Sequence, residues 1–126
     1  MTFSTMRVER RSGELDLRVD GTTLEIPSAM GVKDLPDEVV LGVRPEHTNL
    51  WRENAGLIGP IEGRASYVEM LGRETFIGMD TEGAARFTVL GGPDVAIRPD
   101  ERVPFGLERG RLYLFNPETK LTIARV

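Results

Sequence analysis

The side chains best suited to chemistry in this chain are grouped at residues 44–47, where the sequence reads Arg-Pro-Glu-His. An arginine and a carboxylate at a corner stiffened by proline are able to form a directional, bidentate ion pair. Arginine is also enriched at the centres of protein interfaces. Arg44, Pro45, Glu46 and His47 therefore have two interpretations of equal standing: a corner that fixes one connection of the fold, or an anchor for another domain or subunit.

The sequence offers few of the groups that catalysis or metal binding requires. His47 is the only histidine, and the chain contains no cysteine. A serine triad would need His47 as its base, and nothing in the sequence ties this residue to a serine or an aspartate. Without cysteine there is no thiol nucleophile, and a zinc site is disfavoured because zinc requires cysteines or several histidines.

Motifs for phosphate chemistry are also absent from the sequence. A nucleotide-hydrolysing loop needs a lysine directly after a glycine, and the two lysines, Lys33 and Lys120, do not follow one. Paired carboxylates occur at residues 37–38, 80 and 82, and 100–101, in turn-rich segments that favour solvated turns over metal or general-acid sites. We therefore expect a protein that is not an enzyme and that has no cofactor or metal.

Trp51 is the only tryptophan, and it lies in a polar stretch at residues 48–53. A tryptophan in such a loop either covers one end of a barrel or forms a contact hot spot. Its apolar neighbour Leu50 favours the covering position. Phe87 and Phe105 alternate with aliphatic neighbours, so we expect them in the core rather than on a surface that stacks nucleic-acid bases.

The charge and hydropathy of the chain limit its partners. It has 20 acidic and 16 basic residues and a net charge of −4, which disfavours nucleic acid because phosphate neutralisation dominates such binding. No apolar stretch approaches the roughly 20 residues that span a bilayer, and residues 1–7 lack the apolar core of a signal peptide. We expect a cytoplasmic protein without disulfides, whose association with a membrane comes through a partner.

The elements that position these side chains follow a hydrophobic period of two, which is typical of strands. Leu15 and Leu17 alternate with polar residues, and residues 20–21 (Asp-Gly) then favour a two-residue type I′ hairpin turn. That register places Leu17 opposite Leu24 and Leu15 opposite Ile26. Apolar residues then share one face, so the register is consistent with burial of that face.

A second hairpin is predicted around residues 72–73 (Gly-Arg), because glycine at the first central position suits a type II′ turn. This turn places Val68 opposite Ile77 and Met70 opposite Thr75. Two hairpins of this kind favour an antiparallel architecture.

Further alternation predicts short strands in the rest of the chain. They are expected at residues 6–8, 39–43, 85–89, 103–107, 112–114 and 121–123, with turns at 12–13, 91–93, 108–110 and 116–119. Residues 27–38 are expected to form a connection and residues 48–60 a surface excursion. About nine short strands at this spacing predict one domain over residues 1–126, an all-β, OB-like antiparallel barrel with long connecting loops.

Four segments resemble the signatures of one protein family. Residues 41–47 (LGVRPEH) are similar to the LG(I/V)RPEH signature of the C-terminal domains of carbohydrate ABC importer ATPases, maltose-importer type. Residues 68–75 (VEMLGRET) are similar to the VE-x-LG-x-ET hairpin. Residues 112–119 (LYLFNPET) resemble the closing LHLFDPETG, with Asn116 for aspartate and Lys120 for glycine, and the opening Met-Thr-Phe resembles the MNF that follows the ATPase domain.

The resemblance implies a transport-associated OB (TOBE-type) domain that regulates and dimerises without catalysing a reaction. In that family an ATPase domain precedes this domain, the β-domains of two ATPase subunits contact each other, and some members receive regulatory proteins. It implies the same partners here, together with the membrane subunits of the transporter. The residues that match the family signatures in these segments are Arg44, Pro45, Glu46, His47, Gly72, Glu74 and Thr75. Because everything that binds ATP is missing, we expect an excised piece of a longer subunit rather than a stand-alone homologue.

Two other functions stay open at this point. The turns around residues 72–73 and 91–92 offer backbone N–H groups that suit an oxyanion or another small ligand. Single-stranded nucleic-acid binding is the second alternative, and the acidic balance argues against it.

Overall fold

The computed structural model describes residues 1–11, 14–19, 21–26, 35–53, 55–83 and 86–126. Among these residues the regular elements are strands, apart from a 3₁₀ turn at Pro45–His47. The strands are β1 (Thr2–Arg11), β2 (Glu14–Val19), β3 (Thr22–Ile26), β4 (Glu38–Val43), β5 (Thr48–Leu50), β6 (Leu57–Leu71), β7 (Glu74–Asp80), β8 (Phe87–Gly91), β9 (Arg102–Glu108), β10 (Tyr113–Phe115) and β11 (Thr122–Arg125). This part of the chain has no helix that is long and apolar enough to cross a membrane.

Six strands form one antiparallel sheet in the order β11-β10-β4-β1-β2-β3. The hairpin of β2 and β3 pairs Leu17 with Leu24 and Leu15 with Ile26, which confirms the predicted register. All four side chains are buried. The turn predicted at residues 12–13, and Asp20 of the predicted type I′ turn, lie outside the described residues.

The other five strands form an antiparallel sheet in the order β5-β9-β6-β7-β8. Its edge strands β5 and β8 lie against each other, so the sheet curls into a nearly closed barrel. The β6–β7 hairpin pairs Val68 with Ile77 and Met70 with Thr75, as predicted. Gly72 has a φ of +65°, the conformation that a type II′ turn requires at this position. The prediction of an all-β, OB-like antiparallel barrel is confirmed.

Within the described part of the chain, one hydrophobic cluster joins the inward-facing side chains of both sheets. Phe87 and Phe105 are buried in it, with ring centroids 5.4 Å apart, so the prediction that they belong to the core is confirmed. Burial of a phenylalanine side chain contributes about 2 kcal/mol to stability, and each of these rings fills space that a smaller residue would leave empty.

The strands are more numerous and in places longer than predicted. β1 has 10 residues and β6 has 15. β6 stays continuous because register shifts between Ile58 and Ile61 and between Ala65 and Tyr67 bend it around the barrel. Of the predicted connection at residues 27–38, the first eight positions lie outside the described residues, and its last position already begins β4.

The prediction that residues 48–60 form a surface excursion is wrong at both ends of the segment, although the described residues between the two strands are mostly exposed. Thr48–Leu50 is strand β5, which pairs with β9, and β6 begins at Leu57. Leu57 and Ile58 are buried. Gly59 and Pro60 are exposed but lie within β6, where they mark a change of direction, and Gly59 has a φ of +142°.

Candidate functional site

The cluster at residues 44–47 forms a tight corner between β4 and β5. Arg44 is extended, with φ −91° and ψ 149°, and Pro45 follows as the first residue of the 3₁₀ turn. Proline suits this position because its φ is already set and its missing N–H is not needed there. The Arg44 carbonyl accepts hydrogen bonds from the His47 backbone N–H at 2.9 Å and from the Thr48 hydroxyl at 3.1 Å.

His47 ties this corner to the end of β9. Its Nδ1 lies 2.7 Å from Glu108 Oε2, and Glu108 Oε1 accepts a hydrogen bond from Asn49 Nδ2 at 3.1 Å. The side chains of His47 and Glu108 are 24% and 38% exposed. The contact joins residues 61 positions apart in the chain, so His47 stabilises the packing of the corner against the barrel.

Arg44 and Glu46 belong to the same corner and are exposed. Neither forms an ion pair with any residue that the structure describes, so the bidentate pair considered from the sequence is not present. The two interpretations of the cluster therefore apply to different residues of it. Pro45 and His47 hold a connection of the fold, whereas Arg44 and Glu46 are accessible to another chain.

The family-typical positions in the second hairpin also divide into exposed and anchored residues. Thr75 is 1% exposed, and its hydroxyl donates a hydrogen bond to the Gly92 carbonyl at 2.9 Å, which anchors the hairpin to the end of β8. The tip itself is exposed and consists of Met70, Leu71, Gly72, Arg73 and Glu74. Its two apolar side chains are exposed by 59% and 55%.

Trp51 is half-buried and lies on the outer wall of the barrel. Its ring covers Gly59 and Gly106, where an added Cβ would lie 3.3 Å and 2.8 Å from ring atoms. The indole N–H donates a hydrogen bond to Glu53 at 3.1 Å. The ring is therefore packed against the protein, as its neighbour Leu50 suggested, although it covers a wall rather than an end.

The closing turn at residues 116–121 keeps its shape despite two departures from the family signature. Asn116 Oδ1 accepts hydrogen bonds from the N–H groups of Glu118 and Thr119 at 2.8 Å and 3.1 Å, as an aspartate would. Lys120 replaces the glycine of the signature, and its φ is +64°. This left-handed conformation costs a residue with a Cβ about 1 kcal/mol relative to glycine.

An exposed apolar patch, not predicted as a site, lies on the outer face of the six-stranded sheet. We define it as Met1, Phe3, Tyr113 and Phe115 around Gly42. Met1 and Phe3 are exposed by 46% and 55%. Phe3 in β1 and Tyr113 in β10 are the register partners of Gly42 on its two sides. Tyr113 and Phe115 beside them are half-buried.

The side chains of the apolar patch are held against one another. The ring centroids of Phe3 and Phe115 are 6.0 Å apart, and those of Tyr113 and Phe115 are 6.2 Å apart. Gly42 allows this contact, because a Cβ there would lie 2.9 Å from Phe115 Cε2 and 3.2 Å from Phe3 Cε1. Arg125 borders the patch, with its guanidinium carbon 5.7 Å from the Tyr113 ring centroid.

Three of the family-like segments meet in this patch. Phe3 belongs to the opening segment, Gly42 to residues 41–47 and Phe115 to residues 112–119. The strand order β10-β4-β1 brings them side by side. The three segments thus converge on the outer face of the sheet, where Phe3 is exposed and takes no part in the core. The sequence alone did not predict this patch; it showed only that Phe3, Gly42 and Phe115 each lie in a segment that resembles the same family.

The carboxylate pairs do not assemble a metal site in the part of the chain that the structure describes. Three or more metal-ligating side chains do not come together anywhere in it. Asp80 instead pairs with Arg86 at 2.6 Å and with Arg64 at 3.4 Å, and Asp100 pairs with Arg64 at 2.8 Å. The hydrogen bond and the charge of Asp80 raise the pKa of Arg86 above its ordinary value.

Comparison with known proteins identifies the family of this chain. The osmoprotective compounds uptake ATP-binding protein GgtA of Synechocystis sp. is 30% identical over 121 residues, which cover 93% of this chain and 33% of that protein. The chain therefore spans about a third of the length of this relative. A family model described as TOBE domain matches residues 41–115, which is more than half of the chain. The chain belongs to the TOBE domain family.

Proposed function

We propose that this chain is the regulatory, non-catalytic TOBE domain of the ATP-binding subunit of an ABC importer for a carbohydrate. Its family membership and its similarity to GgtA, which is named as an ATP-binding protein for the uptake of osmoprotective compounds, support association with such a subunit. The segments that resemble the maltose-importer type support carbohydrate as the transported class. In this proposal, ATP hydrolysis is carried out by a separate ATPase domain of the parent subunit.

We propose that the domain holds two ATP-binding subunits together as a homodimer and regulates their ATPase cycle. The apolar patch carries this proposal, because Met1 and Phe3 are exposed and the Phe3 ring contacts that of Phe115, which is half-buried like Tyr113. Removal of apolar surface from water contributes about 25 cal/mol per Å². An apolar surface is complementary to a copy of itself, so a two-fold axis through the patch would bury Phe3 and Phe115 of both chains.

Other exposed groups are proposed to serve the other partners. Arg44 and Glu46 at the corner, and Met70 and Leu71 at the hairpin tip, do not belong to the apolar patch. They are available to the parent ATPase domain, to the membrane subunits of the transporter or to a regulatory protein. Contact with those subunits would hold the domain at the cytoplasmic face of the membrane.

Sedimentation velocity over a range of protein concentrations tests the homodimer. We expect the wild-type chain to shift from monomer to dimer as its concentration rises, and Phe3→Ser to remain monomeric. Met70→Ser is the matched control, because Met70 is 59% exposed but lies at the hairpin tip. A wild-type chain that stays monomeric at every concentration, or an equal loss of dimer in the two variants, would contradict the proposal.

A further inference from the structure

A polar groove of about 690 Å³ lies between the start of β3 and the barrel strands β6, β7 and β9. None of the residues of the apolar patch lines it. Its principal polar side chains are Thr23, Glu62, Arg64, Asp80, Glu82 and Arg102. Its volume is within the range of small-molecule sites, which is about 300–1,000 Å³.

One side of the groove is already fixed by ion pairs. Arg64 donates to Asp100 at 2.8 Å and to Asp80 at 3.4 Å, and Asp80 also accepts a hydrogen bond from Arg86 at 2.6 Å. Both carboxylate oxygens of Asp80 and both terminal nitrogens of Arg64 are therefore engaged. These groups shape the groove, but they have little capacity left for a ligand.

The two sheets are also held at a fixed spacing across the groove. The Thr22 hydroxyl at the start of β3 donates to the Glu82 carbonyl at 2.8 Å. The Glu82 carboxylate lies directly over Gly21, where a Cβ would clash with it. Gly21 thus permits a close approach between the hairpin of the six-stranded sheet and the end of β7. The groove exists before any ligand enters, which lowers the cost of binding.

Glu62 and Arg102 are the groove's available charged pair. Glu62 is the register partner of Pro104, and Arg64 is the register partner of Arg102, so Glu62 and Arg102 are diagonal neighbours on adjacent strands. The Cα atoms of such diagonal neighbours are typically about 7–8 Å apart, and their Cβ atoms are somewhat closer. The two side chains form no ion pair with each other or with any other residue that the structure describes. The Glu62 carboxylate therefore remains available as a hydrogen-bond acceptor and the Arg102 guanidinium as a donor.

Arg102 differs from Arg64 in having no carboxylate partner among the described residues. The two arginines are register partners on β9 and β6. Arg64 is paired with Asp80 and Asp100, which offsets its charge. Arg102 is therefore the guanidinium group of the groove that remains available to a ligand.

The overall charge of the groove selects against anions. Among the described residues in and beside it, the carboxylates of Glu62, Asp80, Glu82 and Asp100 outnumber the guanidinium groups of Arg64, Arg86 and Arg102. An anion would meet the repulsion of the Glu62 carboxylate and could not donate a hydrogen bond to it. A simple cation would be unable to accept a hydrogen bond from Arg102.

We propose that the groove binds a neutral polyhydroxylated molecule, a polyol or a sugar, between Glu62 and Arg102. A hydroxyl group both donates and accepts, so one hydroxyl donates to the carboxylate while it accepts from the guanidinium. The groove is open to solvent and no aromatic side chain lines it, so we expect millimolar affinity. This binding does not depend on the proposed dimer, because the two surfaces share no residue.

Amide chemical shifts in ¹H–¹⁵N NMR spectra, followed during titration with trehalose, sorbitol or sodium sulfate, test the proposal. We expect saturable shifts on β3, β6 and β9 with trehalose or sorbitol, and none with sulfate. Arg102→Gln and Glu62→Gln should each weaken polyol binding roughly tenfold, because each removes a charge-assisted hydrogen bond. Glu69→Gln is the control, since Glu69 is an exposed carboxylate of β6 outside the groove.

Saturation is the decisive readout, because polyols stabilise any folded protein through exclusion from its surface. Shifts that grow linearly without saturating would overturn the proposal. So would equal dissociation constants for Arg102→Gln and Glu69→Gln. Saturable binding of sulfate that depends on Arg102 would replace the polyol with an anion.

Discussion

Phe3 and Phe115 meet edge to face across Gly42, with ring centroids 6.0 Å apart and ring planes inclined by 61°. The two rings come from β1 and β10, and the glycine lies on β4 between them. The φ of Gly42 is not positive. Gly42 is therefore needed for the space that it leaves to its neighbours, and not for a backbone conformation that other residues avoid.

Gly42→Ala should weaken self-association while it leaves the fold intact. The new Cβ would lie 2.9 Å from Phe115 Cε2 and 3.0 Å from Met1 Sδ. Both atoms are ends of side chains on the protein surface and are able to move, so we expect unfolding free energy to fall by less than about 1.5 kcal/mol. Sedimentation velocity and urea denaturation measure the two effects. Gly92→Ala is the control, because nothing lies within 4 Å of its added Cβ.

His47→Ala should lower the free energy of unfolding by about 1 kcal/mol, because it removes a half-buried hydrogen bond to a carboxylate. The bond joins His47 Nδ1 to Glu108 Oε2 at 2.7 Å. Urea denaturation followed by circular dichroism measures the change. Glu46→Ala, one residue away and exposed, should stay within about 0.5 kcal/mol of the wild type. Equal stability of the two variants would show that the contact does not hold the corner.

Gly106→Ala should displace the indole of Trp51 from the barrel wall. The added Cβ would lie 2.8 Å from Trp51 Cε3 and 2.9 Å from Leu57 Cβ. We expect a red shift of the tryptophan emission and a loss of about 1–3 kcal/mol in unfolding free energy. Trp51 is the only tryptophan, so the emission reports this site alone. An unchanged spectrum in a folded Gly106→Ala variant would mean that the ring does not cover Gly106.

Lys120→Gly should stabilise the domain by about 0.5–1 kcal/mol, because Lys120 has a φ of +64° that glycine adopts without strain. The gain is limited by the greater conformational freedom of glycine in the unfolded chain. Thermal denaturation measures the change. Lys120→Ala removes the same charge but keeps the Cβ, so it should show no gain. A gain of equal size in Lys120→Ala would assign the effect to charge and not to the backbone.

Local hairpins were predictable because their registers depend on short segments. The pairing of Leu17 with Leu24, and of Val68 with Ile77, follows from a two-residue turn and the alternation of apolar side chains on either side. The segment at residues 48–60 was not predictable in this way. Its glycines and proline resemble those of a surface loop, and only pairing with β9 shows that its ends are strands.

By itself the sequence determined the β class, the two hairpins, the core position of Phe87 and Phe105, and the resemblance to a TOBE-type domain. The tertiary structure decided which distant segments meet. His47 reaches Glu108 across 61 positions, and the apolar patch forms where β10, β4 and β1 become neighbours. A turn is encoded by adjacent residues, whereas the order of strands in a sheet depends on the closure of long loops and on burial of the whole core.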